Sequence, residues 1–420
     1  MKKLLLMFAA AGMLFTACNK KGDNDITESN PDFIENDYIK ELVGTWTSLE
    51  DNGIGEAMVI KEDGSFTITG MVKDGSLRKL EGTLSVVSNK ITLAIKDSYT
   101  LEGRLELVAG ASMSIILRDE FDIRATYHYC KEDLSDEIIG MWICNDSWTN
   151  DVAIQTYTNE GKTSASAMGS SGLIVNQATD YQVVGDILFR KIHNATNNKD
   201  EDKWTAELLT YTPSGTSLGD LMTHKVYTHT EDGILANIGS YLRIKQPLEL
   251  AGNGYSYSKS FVSNVEGMDQ DISILNTSFN FAKMNDSTID KFFKSTFVSI
   301  EFPKADSVKY TYEYNQEKKT FGAPIEVAGN KMTVKMSKVD AVYQDIDVYV
   351  FQDQNNTQMH LYTPTASFEK LFASISITEM LSNGKLDKND ADAVASVYNN
   401  IAAAIESIDL SLVMTKQEKQ

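Results

Sequence analysis

Gly215-Thr216-Ser217-Leu218-Gly219 has the G-x-S-x-G spacing that can lift a serine hydroxyl onto a sharp strand-to-helix turn, where a base activates it for acyl transfer. That geometry needs a parallel strand before the motif and a helix after it. Leu221 to Thr230 instead alternates like a strand, so the motif reads as a Ser/Gly turn and hydrolysis is the most distant functional expectation. Ser367-Phe368-Glu369-Lys370 matches S-x-x-K, but no Lys-Thr-Gly or Ser-Asp-Asn segment accompanies it, and it reads as a helix start. The histidines, His128, His193, His224, His229 and His360, are dispersed. His224 and His229 stand an odd number of residues apart, on opposite faces of one strand, where they cannot share an ion. Asp387 to Asp392 is acidic enough for a calcium loop, but it has no Gly at the sixth position and no Glu at the twelfth, so a helix cap is expected. No catalytic residue, metal ligand or cofactor is expected.

Two further groups of side chains could do chemistry. Cys130 and Cys144 bracket a domain junction and are too few for a four-ligand zinc site. Cys130 falls on the polar side of the alternating stretch from Phe121, whereas Cys144 shares a face with Trp142, so they read as two free thiols, with a disulfide as the alternative. Val308, Tyr310, Tyr312 and Tyr314 point to one side of a strand, with Lys309, Thr311, Glu313 and Asn315 on the other. The plain reading is the core face of a half-buried strand. Three successive tyrosine hydroxyls would each need a partner in a dry core, so Tyr310, Tyr312 and Tyr314 are also candidates for the wall of a ligand cavity or a platform for stacking. The partner would be a small apolar ligand or a glycan.

The elements that must carry these residues follow from composition and pattern. A chain of 420 residues with 42% hydrophobic content is long enough for two or three domains with cores of their own. The formal net charge of −20 argues against nucleic acid, whose affinity rests on Lys and Arg, and against charge-driven adhesion to anionic lipid.

Membrane attachment has another source. Lys2 and Lys3 precede an apolar run from Leu4 to Phe15, shorter than the roughly 20 residues of a membrane span and typical of a secretory signal. Thr16 and Ala17 then lead into Cys18. This resembles a bacterial lipobox, with Phe15 where Leu is usual and Leu14 one place earlier. The resemblance implies cleavage after residue 18's predecessor, lipid on Cys18, and a membrane contact through that lipid; a plain secreted protein is the alternative. Residues 1–18 are then the signal, and the acidic stretch 19–38 is a flexible tether of about 25 Å mean span. Asn19-Lys20-Lys21-Gly22-Asp23 is similar to the charged stretch that marks surface export in lipoproteins of Bacteroidetes-type bacteria. An outer-membrane lipoprotein, facing the periplasm or the cell surface, is implied. Asp286-Ser287-Thr288 and Asp306-Ser307-Val308 resemble the O-glycosylation sequon of such exported proteins.

Beyond the tether the chain repeats itself. Leu42-Val43-Gly44-Thr45-Trp46 returns as Ile138-Ile139-Gly140-Met141-Trp142. A hairpin pattern at Leu84 to Leu93 returns at Tyr181 to Phe189 and again at Ile325 to Val334, the last without a Gly-x-Trp partner. About eight short strands between Leu42 and Cys130, with turns at Asp51-Asn52-Gly53, Asp63-Gly64 and Asp74-Gly75, predict an antiparallel barrel or sandwich. Modules are expected at 39–131, 136–246 and 250–420, the last with helices at about 366–382 and 388–407 and a closing strand through Ile408, Leu410, Leu412 and Met414. Substantial helix is expected nowhere before Pro364. A Gly-x-Trp opening an up-and-down meander resembles the lipocalin-like (calycin) barrels of Bacteroidetes-type lipoproteins, which implies a mainly β fold of tandem barrels and a place for Trp46 and Trp142 across the barrel ends. The expected function is a non-catalytic binding or interaction module; the alternative is a structural spacer or adhesin-like surface protein. A module of about ninety residues fills its own interior, so the third and larger module is the expected container.

Overall fold

The computed structural model describes residues 35–50, 53–72, 75–117, 123–144, 153–169, 172–194, 201–230, 233–275, 277–314 and 316–418. Cys18, the signal and residues 19–34 lie outside the described residues. Helix α1 (Glu35–Leu42) leads into β1 (Gly44–Leu49), β2 (Gly55–Ile60), β3 (Ser65–Met71), β4 (Leu77–Val87), β5 (Lys90–Ile95), β6 (Thr100–Val108), β7 (Ser112–Leu117) and β8 (Ile123–Cys130). These eight strands form an antiparallel barrel in chain order, with β8 returning to β1. Alternation does the work: Met58 and Ile60, Phe66 and Ile68, Leu84 and Val86, Leu93 and Ile95 all enter one core.

The second barrel contains β9 (Gly140–Cys144), β10 (Ala153–Tyr157), β11 (Lys162–Gly169), β12 (Gly172–Val175), β13 (Thr179–Val184), β14 (Ile187–Asn194), β15 (Glu201–Thr216), β16 (Gly219–Thr230) and β17 (Gly233–Arg243). It closes where β17 pairs with β9 and β10 with β11, while β12 hangs on β11 as a ninth strand. The third barrel closes β18 (Asn253–Gly267) on β27 (Ile405–Lys416). Between them run β21 (Phe297–Lys304), β22 (Ser307–Tyr314), β23 (Glu317–Ala328), β24 (Lys331–Val334), β25 (Ile346–Gln352) and β26 (Gln358–Thr363). A side hairpin, β19 (Asp271–Ile274) with β20 (Thr277–Asn280), and three helices complete it: α2 (Asp286–Thr296), α3 (Thr365–Ser382) and α4 (Ala391–Ala404). The fold is mainly β, three closed eight-stranded barrels in tandem, the last with helices and a closing strand.

The repeat is physical as well as textual. In all three barrels the matched hairpin turns on a residue in the left-handed region, Ser88, Gly185 or Gly329, at φ of 57, 65 and 60°. The carbonyl of the next residue then accepts an amide from farther along the chain: Asn89 from Leu105 at 2.7 Å, Asp186 from Leu209 at 2.7 Å, and Asn330 from Val350 at 2.8 Å.

Two helices depart from the sequence reading. Helix α1 takes in Glu35 to Tyr38, which the sequence places in the tether; farther along it Leu42 joins the first barrel's core and Ile39 packs against it. Helix α2 lies well before Pro364; its Ile289, Phe292 and Phe293 are buried on one side, and Asn285 caps it by accepting the Thr288 amide at 3.1 Å. The caps of the later helices explain the acidic residues beside them. Asp390 accepts the Ala393 amide at 2.9 Å. Helix α3 follows Pro364 and has no local cap; the carboxylate of Asp409 on β27 accepts from the Thr365 amide at 3.1 Å and fastens helix to closing strand.

The barrels pack on one another through their outer faces. Ala57 and Met71 of the first meet Ile187, Phe189 and Ala206 of the second. Ile143, Ile154 and Leu242 of the second meet Phe351, Tyr362 and Val413 of the third. This packing corrects the reading of Cys130. Its position is outward on its strand, yet it is buried, because the Gly185 turn of the second barrel lies over it. The thiol donates to the Glu132 carbonyl at 3.0 Å, and burial pushes its pKa up to about 11. Cys144 is half-buried, and both thiols are free.

Candidate functional site

Strand β22 is where alternation meets chemistry. Its tyrosines do not act as one row. Tyr310 and Tyr312 line a cavity of about 200 Å³ inside the third barrel, whereas Tyr314, at the strand's end, does not, and carries the Lys319 ammonium 5.2 Å from its ring centre. All three side chains are half-buried.

The cavity has three sides. Strands β22 to β26 bring Tyr310, Tyr312, Phe321, Met332, Val348 and Leu361 inward by parity. Helix α2 delivers Phe292 and Phe293 from its buried stripe, and helix α3 lays Leu371, Ser374, Ile375 and Thr378 along the other side at helical spacing. Among the described residues, no Lys, Arg, His, Asp or Glu lines it.

The few polar groups on the wall are mostly engaged elsewhere. Thr296 Oγ1 donates to the Phe292 carbonyl at 2.7 Å, Thr378 Oγ1 donates to the Ser374 carbonyl at 2.8 Å, and Ser374 Oγ lies 3.3 Å from the Tyr398 hydroxyl. Tyr310 differs. Its ring packs 6.2 Å from that of Phe297, and its hydroxyl makes no hydrogen bond among the described residues. Burial alone drives its pKa far above the ordinary phenol value. Burial also raises Tyr312, with the Tyr343 hydroxyl adding to the effect.

The paired tryptophans sit alike at the starts of the first two barrels. Trp46 and Trp142 are fully buried, and each indole N–H donates to the carbonyl four residues earlier, Leu42 at 2.8 Å and Ile138 at 2.7 Å. Gly44 and Gly140 share φ +133°, in the region that disfavours a side chain, and a Cβ on Gly44 would come within 2.8 Å of the Tyr129 ring. The residue paired with each tryptophan on the last strand lies against the indole: Tyr129 edge-on at 5.1 Å, and the Arg243 guanidinium at 4.4 Å. These contacts pack each indole between the first and last strands of its barrel.

Sequence reasoning missed two interior groups. The first barrel holds a cavity of about 50 Å³ beside Glu56 and Tyr127. Tyr127 donates to Glu56 Oε2 at 2.8 Å, while Oε1 is buried with no partner. Burial outweighs the Tyr127 hydrogen bond, the Glu50 charge adds to it, and the Glu56 pKa is pushed up to about 7. In the second barrel Glu207 is enclosed with Arg190 at 2.5 Å and His224 Nδ1 at 2.9 Å, and Arg190 also donates to Gln155 at 3.2 Å. Burial pulls Glu207 upward, but the His224 hydrogen bond and the Arg190 charge prevail and hold it at about 2.

His224 with Glu207 is the pairing that most resembles a base with its orienting carboxylate. Among the described residues, no hydroxyl or thiol is hydrogen-bonded to His224. Ser217 sits in the turn between β15 and β16, and its carbonyl accepts from Asn355 of the third barrel at 3.3 Å. Next to it Gln354 accepts the Asp220 amide at 2.8 Å and donates to the Asp220 carboxylate at 3.0 Å. The G-x-S-x-G segment is thus a docking turn between barrels. Ser367 lies in the first turn of α3, buried, where it serves no exposed site.

No family model matches this chain, and a search of curated proteins returns no match. Solved structures similar to it include Transferrin Binding Protein B from Haemophilus parasuis Hp5, as a double mutant, at 11% identity, 87% coverage of this chain, 66% of that chain and a TM-score of 0.23. The isotype 1 protein from serogroup B Neisseria meningitidis gives 8% identity, 87% and 66% coverage and a TM-score of 0.20. Intact Ap-TbpB, with N and C lobes, gives 10% identity, 87% and 67% coverage and 0.21. The chain thus spans about two thirds of the length of these structures.

Proposed function

We propose that this is a non-catalytic, lipid-anchored protein of the cell envelope whose third barrel takes up one small apolar or amphipathic molecule. The supporting observation is the cavity of about 200 Å³ lined almost wholly by carbon. A dry apolar space of about 150 Å³ already accepts a benzene-sized guest, whereas drug-sized ligands need about 300 Å³ or more. The guest is therefore a single ring or a short chain. A glycan fits poorly, because each sugar hydroxyl buried without a partner costs about 1–3 kcal/mol. The anchor rests on Cys18 and its preceding signal, and it would hold the barrels at the outer membrane, on either face.

Heat-denaturation of the full folded chain with benzene, toluene or hexane tests the reading. A saturable rise in melting temperature is expected, because a ligand that binds the native state alone stabilises it. Replacing Ile375 on the cavity wall by Trp should abolish the rise while the unliganded protein still melts cooperatively. If no apolar compound shifts the parent's melting, the cavity is only a packing defect and the spacer reading takes its place.

A further inference from the structure

We propose that the molecule held in the third barrel presents a neutral hydrogen-bond acceptor, a ketone, aldehyde or ester oxygen, to the hydroxyl of Tyr310; this rests on the apolar-ligand reading above. Tyr310 is half-buried and lines the cavity, and its hydroxyl makes no hydrogen bond among the described residues. A phenol donor without a protein partner on a wall otherwise made of carbon is the one group there free to bond a guest. A lone water would be a poorer one, since buried waters make about three hydrogen bonds, and Thr296 and Thr378, whose protons go to backbone carbonyls, have only their oxygens left to offer it.

The rest of the wall narrows the class. A carboxylate could accept from Tyr310, but no cationic side chain lines the cavity among the described residues, and a buried charge without a counter-charge is heavily penalised. An ammonium group meets the same objection, with no carboxylate present on the wall. A hydrocarbon would fill the space and leave the donor unused. A neutral carbonyl compound of about one ring satisfies both the volume and the hydroxyl.

Met332 and Met336 both line the cavity, so their ¹³C-labelled methyl groups report occupancy directly in the full chain. Cyclohexanone, methylcyclohexane and cyclohexanecarboxylate are similar in size and differ in the group offered to Tyr310. Cyclohexanone should bind the parent about 3- to 10-fold more tightly than it binds Tyr310→Phe, the span of one net hydrogen bond, and the carboxylate should bind the parent most weakly. Methylcyclohexane should bind Tyr310→Phe at least as tightly as the parent. That variant keeps the ring and strands no partner, so it should fold as the parent does. Cyclohexanone binding unchanged by Tyr310→Phe, methylcyclohexane weakened as much as the ketone by that substitution, or tightest binding of the carboxylate to the parent would each overturn the inference and leave the apolar cavity standing. If none of the three compounds moves either methyl signal, the cavity reading itself fails.

Discussion

Glu56 makes the stability of the first barrel depend on pH in an unusual direction, and Glu56→Gln exposes it. The carboxyl is enclosed, accepts one hydrogen bond from Tyr127, and is raised from 4.5 to about 7 by burial first, with the Glu50 charge adding to it. Below about pH 4.5 it is protonated in both folded and unfolded chains and has no effect. As pH rises from 4.5, the unfolded chain ionises first, so folding stability is lost until the folded carboxyl also ionises near pH 7. Each unit of that window is worth about 1.4 kcal/mol, so the loss approaches about 3 kcal/mol above pH 7. Gln keeps the shape and the acceptor for Tyr127 but does not ionise. The stability of Glu56→Gln relative to the parent should therefore rise by about 3 kcal/mol between pH 4.5 and pH 8. Amide hydrogen exchange of peptides from β2 and β8, with the full-length proteins compared at equal pH, reads this locally and cancels the intrinsic exchange rates. A difference between variant and parent that is the same at pH 5 and pH 8 would refute the reasoning, because it would mean that the carboxyl is solvated or paired.

Glu207 should behave in the opposite sense. Its folded pKa of about 2 lies below the ordinary 4.5, so its contribution is full above pH 4.5 and is lost as pH falls toward 2. Glu207→Gln leaves Arg190 enclosed without its counter-charge and should cost about 3–5 kcal/mol at pH 7, with the gap to the parent narrowing in acid; exchange of β15 peptides measures both. A gap that widens in acid would contradict the ion-pair account. For the anchor, Cys18→Ser should remove both palmitate labelling and membrane partition; lipid labelling that persists in the variant would show that another residue carries it.

How much of this was legible follows from where each signal resides. Strand parity is a property of the chain, and it marked the antiparallel strands and the closing strand, while the repeat marked the paired Gly-x-Trp openings. Helix α2 was missed because its buried stripe is three residues long, Ile289, Phe292 and Phe293, too short to stand out from alternating strand patterns on either side. The interior charges did leave a trace. Glu56 shares parity with Met58 and Ile60, Arg190 with Leu188, and Glu207 with Leu209, all core positions, so a charge in register with core residues was the available signal. What parity cannot encode is volume: the space beside Tyr310 arises where two helices separated by some seventy residues of chain close over the same strands, and no local pattern records the gap between them. The three interiors then differ in how their polar groups are answered. Arg190 and His224 answer Glu207 within the second barrel, and Glu56 answers its own burial by holding a proton near neutral pH. Tyr310 has neither recourse, since a phenol stays protonated at neutral pH and none of the hydroxyls on its wall is hydrogen-bonded to it among the described residues, which is why the third barrel is the one proposed to take a guest.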